Sequence, residues 1–170
     1  VTQQEYKFPS HYRLISATDR RGVITHCNQQ FVEVSGFDRE ELIGKNHNLV
    51  RHPDMPPAVF KTMWQTLESG RIWMGLVKNR RKDGDHYWVS AFVTPVLEGT
   101  QVVGYESVRI PATSEEIERA EACYRRLRQG GNAVAVSTRL RWALTAQMPF
   151  LVGGGLTTVA VGAISGVFAC

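Results

Sequence analysis

A chain of 170 residues is long enough for one globular domain with an appendage, and its apolar content of 43% is ordinary for such a protein. Its net charge of +4 is unevenly distributed, because six arginines fall within residues 119–141, directly before an uncharged tail. This arrangement favours contact with a membrane surface over binding to nucleic acid, for which the sequence contains no motif. Three widely spaced cysteines predict no disulfide framework and fit a reducing, cytoplasmic setting. Residues 1–10 are polar and do not resemble a signal peptide.

Runs of β-prone residues bounded by turn residues predict five strands. They cover Leu14–Asp19, 23–27, Trp73–Arg80, 86–96 and 102–109. Glycines at positions 22, 84 and 99 suit the turns between neighbouring strands. In the 86–96 strand, Tyr87, Val89, Ala91 and Val93 share one face, which is the more apolar one and is therefore expected to be concave. Trp88, Ser90 and Phe92 are expected on the outer face.

Helices are predicted on both sides of a polar segment. Residues 28–35 should form a small helix that ends at Gly36, and Asp38 suits the N-cap of a second short helix. After Pro57 a longer helix carries one apolar stripe at spacings of three and four residues. The stripe consists of Phe60, Met63, Trp64 and Leu67. The order of elements predicts an α+β fold, in which a five-stranded antiparallel sheet has short helices over one face and is followed by a C-terminal helix and an apolar tail.

The polar segment, residues 46–57, places two histidines, an arginine and an aspartate among three prolines. Because proline lacks an N–H and restricts the residue before it, this segment should be a turn or a broken helix. A segment of this kind between a helix and a sheet is the best candidate for a ligand site. The alternative is a surface loop that is merely polar.

The C-terminal part of the sequence changes character at Thr113. Thr113 and Glu116 form a capping box that predicts a connector helix, which Gly130 and the glycine after it should end. Residues 143–170 contain no charged side chain over 28 positions, and roughly 20 helical residues suffice to cross a bilayer. The preceding arginines and Trp142 suit a cytoplasmic membrane flank. A buried or oligomeric helix is the alternative, and because the apolar run reaches the last residue we expect the sequence to be part of a longer protein.

The order of strands and helices resembles a PAS domain, and three motifs make the likeness more specific. Residues 50–56, 77–89 and 112–117 closely resemble the PAS sensor domains of bacterial aerotaxis receptors. The resemblance implies an FAD-binding sensor of cellular redox state or oxygen that controls chemotaxis and catalyses no reaction. It also implies a homodimer formed through the PAS or connector regions. Downstream HAMP and signalling regions act on a chemotaxis kinase complex, and the receptor is anchored at the cytoplasmic face of the bacterial inner membrane.

With this resemblance, the chain divides into four parts. Residues 1–12 are an N-terminal cap segment, and residues 13–111 are the PAS sensor domain. Residues 112–142 are a connector helix with a basic linker, and residues 143–170 are the membrane anchor.

The same resemblance suggests cofactor-binding residues. Arg51 would pair with the pyrophosphate of FAD through its forked guanidinium. His52 and Asp54 would orient each other or hold the ribityl chain, unless they form only a local turn network. Asn79 would face the polar edge of the flavin, and Asn28 would do the same unless it is only a helix cap. Candidates for stacking on the flavin rings are Trp64, Trp73, Tyr87 and, with the weakest case, Trp88.

Light-sensing LOV domains offer a related comparison, because they also hold flavin in a PAS fold. They carry a reactive cysteine soon after a Gly-x-Asn sequence, whereas here Gly44, Lys45 and Asn46 are followed by His47. Without a thiol at this point no cysteinyl–flavin adduct can form. Val89 also stands where LOV domains have an asparagine, so the flavin edge must be recognised differently.

Three other functions stay open on the sequence. A haem-based oxygen sensor would use His47 or His52 as an axial ligand. A flavin enzyme would need a substrate site and an acid–base pair, which the sequence does not suggest. The third alternative is a PAS interaction module without a ligand.

Overall fold

The computed structural model describes residues 1–130 of the protein. Five strands form one antiparallel sheet in the order β2-β1-β5-β4-β3. They are β1 (Leu14–Asp19), β2 (Ile24–Cys27), β3 (Trp73–Arg80), β4 (His86–Glu98) and β5 (Gln101–Pro111). The predicted sheet is confirmed. β4 and β5 run further than predicted, because Gly99, with φ of 61°, makes the turn between them tight enough for pairing to continue to Glu98 and Gln101.

Four α-helices and one 3-10 helix complete the described part. They are α1 (Gln29–Ser35), α2 (Arg39–Leu42), the 3-10 helix (His47–Val50), α3 (Pro57–Glu68) and α4 (Ser114–Arg128). The predicted caps are present: Asn28 accepts from the Phe31 N–H at 3.0 Å, and Thr113 and Glu116 exchange hydrogen bonds of 2.9 and 3.3 Å. Within residues 1–130 no helix is long and apolar enough to cross a membrane. The predicted anchor and the basic linker lie outside the described residues.

The concave face of the sheet is the one that β4 was predicted to turn inward. Tyr87, Val89 and Ala91 are buried there. α3 packs against this face, with Leu67 fully buried. The polar segment 46–57 consists of the 3-10 helix followed by irregular backbone, as its prolines predicted.

The outer face of the sheet is covered by α4, which sequence reasoning did not foresee. The indole of Trp88 stacks on the ring of Tyr124 with centroids 6.2 Å apart, and only 4% of Trp88 is exposed. The Tyr124 hydroxyl donates to the Leu76 carbonyl of β3 at 2.6 Å. Ser90 and Phe92 are half-buried. α4 therefore already occupies part of the face on which Trp88, Ser90 and Phe92 were predicted to lie.

The second half of the polar segment is held away from the concave face by a buried polar cluster. Asp54 accepts from the ammonium group of Lys78 at 2.8 Å, and Lys78 is only 5% exposed. The Asp54 N–H donates to Nδ1 of the fully buried His52 at 3.1 Å, and the His52 ring lies edge-on to His86 at 5.6 Å. The guanidinium of Arg128, at the end of α4, donates to the Asp54 carbonyl at 2.6 Å. This cluster joins the polar segment to β3, β4 and α4.

The N-terminal residues close the cluster from outside. The Tyr6 N–H donates to the His86 carbonyl at 2.7 Å, and the His86 N–H donates to the Gln4 carbonyl at 2.9 Å. Lys78 also donates to the Gln3 side chain at 3.2 Å. Residues 1–12 therefore pack on the start of β4.

Removal of the Tyr124 ring should weaken the docking of α4. Truncation of a buried aromatic side chain costs about 3–5 kcal/mol, so Tyr124→Ala should lower the free energy of unfolding by about 3 kcal/mol. Tyr124→Phe keeps the stack and loses one hydrogen bond, which should cost about 1 kcal/mol. Urea unfolding measures both values, and hydrogen exchange should show faster exchange in α4 of Tyr124→Ala. Equal stability of the two variants would contradict this account of the docking.

Acid should destabilise the fold through His52. Burial lowers the pKa of His52 to about 4, and the nearby Lys78 charge contributes to the shift. Because the unfolded imidazole titrates near its ordinary pKa of about 6.5, the unfolded chain gains a proton before the folded chain does. The contribution of neutral His52 to the free energy of unfolding should therefore be fully present above about pH 6.5. It should be lost as the pH drops toward about 4, by up to about 1.4 kcal/mol per pH unit. His52→Asn keeps a hydrogen-bond acceptor for the Asp54 N–H and should reduce the slope by about one proton.

The exposed His26 provides the control position for this measurement. Unfolding free energies between pH 4 and 7 should give the same slope for His26→Asn as for the unchanged chain. An unchanged slope in His52→Asn would show that this histidine is not buried in its neutral form.

Candidate functional site

A cavity of about 440 Å³ lies between the concave face of the sheet, α3 and the first half of the polar segment. The sheet contributes the buried part of its lining, and α3 contributes the stripe predicted from the sequence. The lining consists of Ser16, Thr18, Arg20, Arg21, Gly22, Asn46, His47, Asn48, Arg51, Phe60, Met63, Trp64, Leu67, Glu68, Trp73, Val77, Asn79, Ala91, Val93, Tyr105, Ser107 and Arg109. Its volume falls in the range of small-molecule and cofactor sites, about 300–1,000 Å³.

Positive charge dominates the lining. Arg20, Arg21, Arg51 and Arg109 face one acidic residue, Glu68. Arg20, Arg21 and Glu68 are exposed and form part of the rim, whereas Arg109 is buried. A cavity with this charge distribution favours a ligand that carries negative charge near its mouth.

Arg51 lies where the sequence predicted, at the cavity. Its guanidinium carbon is 3.5 Å from the centre of the Phe60 ring, and partial burial lowers the pKa of the side chain. Arg51 also forms an isolated β-bridge with Asn79 of β3. These contacts orient Arg51 through its backbone and its side chain.

Aromatic rings form part of the cavity wall. Trp64 lies edge-to-face against Tyr105 with centroids 5.3 Å apart. The indole of the buried Trp73 covers Gly75, where any side chain beyond glycine would clash with the indole. Gly75 therefore lets Trp73 lie close against the sheet.

Three buried polar atoms in the lining lack a hydrogen-bond partner within residues 1–130. They are Nδ2 of Asn79, Oγ of Ser107 and Nη1 of Arg109. A buried polar group without a partner costs about 1–3 kcal/mol. The buried lining is therefore suited to a ligand with several hydrogen-bonding groups.

Arg109 is held by two neighbours on other elements. Its Nη2 donates to Oγ of Ser16 at 3.1 Å and lies 2.7 Å from Nε2 of His47. Burial, followed by repulsion from Arg109, lowers the pKa of His47 to about 3, so His47 is neutral at physiological pH. Burial also lowers the pKa of Arg109 to about 10, which leaves the guanidinium charged. The His47 ring stacks on Phe31 with centroids 5.7 Å apart.

Four of the eight predicted binding residues line the cavity, and four do not. Arg51, Trp64, Trp73 and Asn79 do. Asn28 is instead a cap, because its carboxamide accepts from the Phe31 and Ile15 N–H groups and donates to the Arg13 carbonyl at 2.6 Å. His52 and Asp54 belong to the buried polar cluster. The ring of Tyr87 is fully buried and packs edge-on to Phe8 at 6.1 Å.

Sequence reasoning missed the contribution of β5 and β1. Tyr105, Ser107 and Arg109 alternate along β5, and all three line the cavity. Ser16 of β1 pairs with Ser107. The available signal was the alternation that puts the charged Arg109 on the same face of β5 as Tyr105 and Ser107, and it needed that face to be assigned as the inward one.

The histidines do not offer a ready axial ligand for haem. Nε2 of His47 is engaged with Arg109, and His52 does not line the cavity. Within residues 1–130, no group of three or more His, Cys, Asp or Glu side chains is placed to hold a metal ion.

Comparison with known proteins adds to this geometry. A family model described as PAS fold matches residues 24–109. The chain is 50% identical over 130 residues to the aerotaxis receptor of Escherichia coli. The matched region covers 76% of this chain and 26% of that receptor. It is 36% identical over 83 residues to the nitrogen fixation regulatory protein of Klebsiella pneumoniae, over 49% of this chain and 17% of that protein. The chain thus spans about a quarter or less of the length of these relatives.

The fold is also shared with a solved structure from a study that used a flavin analogue to investigate the mechanism of a light-oxygen-voltage domain. That structure has a TM-score of 0.59 and 22% identity, and it covers 64% of this chain and 83% of its own. This likeness concerns the fold alone. The match to the family model, together with the sheet order and the position of the cavity, shows that the chain belongs to the PAS fold family.

Proposed function

We propose that this chain is the FAD-binding sensor region of an aerotaxis receptor, which reads redox state or oxygen and catalyses no reaction. The observation that carries the proposal is the set of unpartnered polar atoms in the buried lining, Asn79 Nδ2, Ser107 Oγ and Arg109 Nη1. They favour a ligand that is both buried and rich in hydrogen-bonding groups. A flavin ring system fits this description, since it is flat and carries carbonyl and ring-nitrogen acceptors along its edges.

The two parts of the lining suit the two parts of FAD. The ring system would lie in the buried part, between the aromatic and aliphatic walls, with Asn79 offering a donor and an acceptor. The pyrophosphate would lie at the rim, where Arg51, Arg20 and Arg21 concentrate positive charge. A cavity of about 440 Å³ holds the ring system, while the rest of the dinucleotide extends past the rim.

The comparisons support this ligand and this role. The aerotaxis receptor of Escherichia coli is 50% identical to this chain over the 130 matched residues. One structure with the same fold comes from a study that used a flavin analogue. When bound, FAD supplies reversible uptake of electrons from cellular carriers. A polar neighbour of His47 Nε2 is the guanidinium of Arg109 at 2.7 Å, which stays charged and so cannot serve as a base toward it.

The output would leave through β3 and α4. β3 carries Asn79 on the cavity side, and its Leu76 carbonyl accepts from Tyr124 of α4 on the outer side. A change in the hydrogen bonding of Asn79 would therefore alter the strand to which α4 is attached. We propose that α4 passes this change to downstream HAMP and signalling regions, which act on a chemotaxis kinase complex. The receptor would work as a homodimer at the cytoplasmic face of the inner membrane, anchored by residues 143–170.

The absorption spectrum of the purified chain tests the ligand directly. Flavin bands with FAD released on denaturation are expected, whereas a Soret band would indicate haem and the absence of both would indicate an interaction module. Arg51→Ala should lower the affinity for FAD about tenfold or more, because a charge-assisted hydrogen bond contributes about 1.5–3 kcal/mol. Arg71→Ala removes an exposed arginine that does not line the cavity and should leave the affinity unchanged. Equal affinities for the two variants would remove Arg51 from the proposed site.

Removal of residues after Arg141 tests the proposed anchor. The shortened chain should stay in solution with its FAD, while the full chain should sediment with membranes. Loss of FAD from a folded, shortened chain would show that the sensor domain extends into the region assigned to the anchor.

A further inference from the structure

Arg109 is a buried cation without an acidic partner. It is 6% exposed, and within residues 1–130 no aspartate or glutamate pairs with it. Its contacts are Ser16, His47 and the ring of Phe31, whose centre lies 5.3 Å from the guanidinium carbon. Its Nη1 has no acceptor.

Such a charge is costly to bury, and the neighbours of Arg109 offset only part of the cost. A hydroxyl, a neutral imidazole and an aromatic face contribute dipoles and a quadrupole, but none carries a negative charge. The guanidinium cannot relieve the cost by losing its proton at neutral pH. A full positive charge therefore stays in the cavity wall.

The position of Arg109 separates it from the arginines of the rim. Arg20 and Arg21 are exposed, so water and salt screen their charges. Arg109 lies among buried residues on β5, next to Ser107 and opposite Ala91 of β4. In this low-dielectric part of the lining a charge acts strongly on whatever binds against it.

We propose that Arg109, held in place by Ser16 and His47, is the positioning residue that makes the cavity prefer the more negatively charged form of its bound ring system. The inference rests on the proposed function, which places a flavin in the cavity. Two-electron reduction of a flavin, with uptake of one proton from water, leaves the ring with one additional negative charge. Arg109 therefore favours the reduced form and raises the reduction potential at which the sensor responds.

The midpoint potential of FAD bound to the full 170-residue chain tests this role. In an anaerobic titration, dithionite supplies the electrons and is oxidised to sulfite, while a reference dye reports the potential. Arg109→Gln should reduce the preference for reduced over oxidised FAD at least tenfold, which corresponds to a fall of about 30 mV or more for a two-electron couple. Arg109→Lys keeps the charge and should retain most of the original potential. Arg71→Gln removes an exposed arginine charge outside the cavity lining and should leave the potential unchanged.

The outcomes distinguish the inference from the proposed function. If the unchanged chain binds no FAD, the proposed function fails before any variant is made. If Arg109→Gln binds FAD with an unaltered potential, the inference is overturned while the proposed function stands. Where Arg109→Gln binds too weakly for a redox titration, separate dissociation constants for oxidised and reduced FAD give the same quantity. Equal fold-losses for the two forms would also overturn the inference.

Discussion

The alternation of side chains along the strands is the constraint on which the rest of the structure depends. Successive residues of β3 and β4 face opposite sides of the sheet, with the cavity on one side and α4 on the other. In β3, Val77 and Asn79 line the cavity. The backbone carbonyl of their neighbour Leu76 accepts a hydrogen bond from the Tyr124 hydroxyl of α4. The cavity and α4 are therefore attached to opposite faces of the same strand. A displacement of one strand cannot affect one side alone.

The cavity lining is a compromise between folding and binding. Unpartnered groups such as Asn79 Nδ2 and the buried charge of Arg109 lower the stability of the protein on its own, since each polar group is removed from water without full compensation. A ligand that pairs with them recovers part of this free energy and binds the folded chain alone, so its binding also stabilises the fold. The residues least favourable to folding are thus the ones that a ligand in the cavity could pair with.

Much of the fold could be predicted from the sequence, because its signals are local. Strand alternation, the turn glycines, the capping box at Thr113 and the stripe on α3 each depend on neighbouring residues. The position of α4 on the outer face could not be predicted in this way, because Trp88 and Tyr124 are 36 positions apart and their contact is tertiary. The lining from β5 was missed for a similar reason, since the inward position of Arg109 follows from strand pairing and not from its own sequence neighbours.

The polar segment shows that residues close together in the sequence need not belong to the same binding site. His47 and Arg51, separated by one turn of the 3-10 helix and its cap, line the cavity, whereas His52 and Asp54 enter the buried cluster with Lys78. The side chains of the adjacent Arg51 and His52 point in opposite directions because Arg51 has extended backbone, with φ of −71° and ψ of 129°. Successive side chains alternate in direction along extended backbone. The segment consequently contacts the cavity through Arg51. It contacts the end of α4 through the Asp54 carbonyl, which accepts a hydrogen bond from Arg128. It forms a second connection between the cavity and α4, which is itself tied to β3 through the Arg51–Asn79 bridge and the Asp54–Lys78 ion pair.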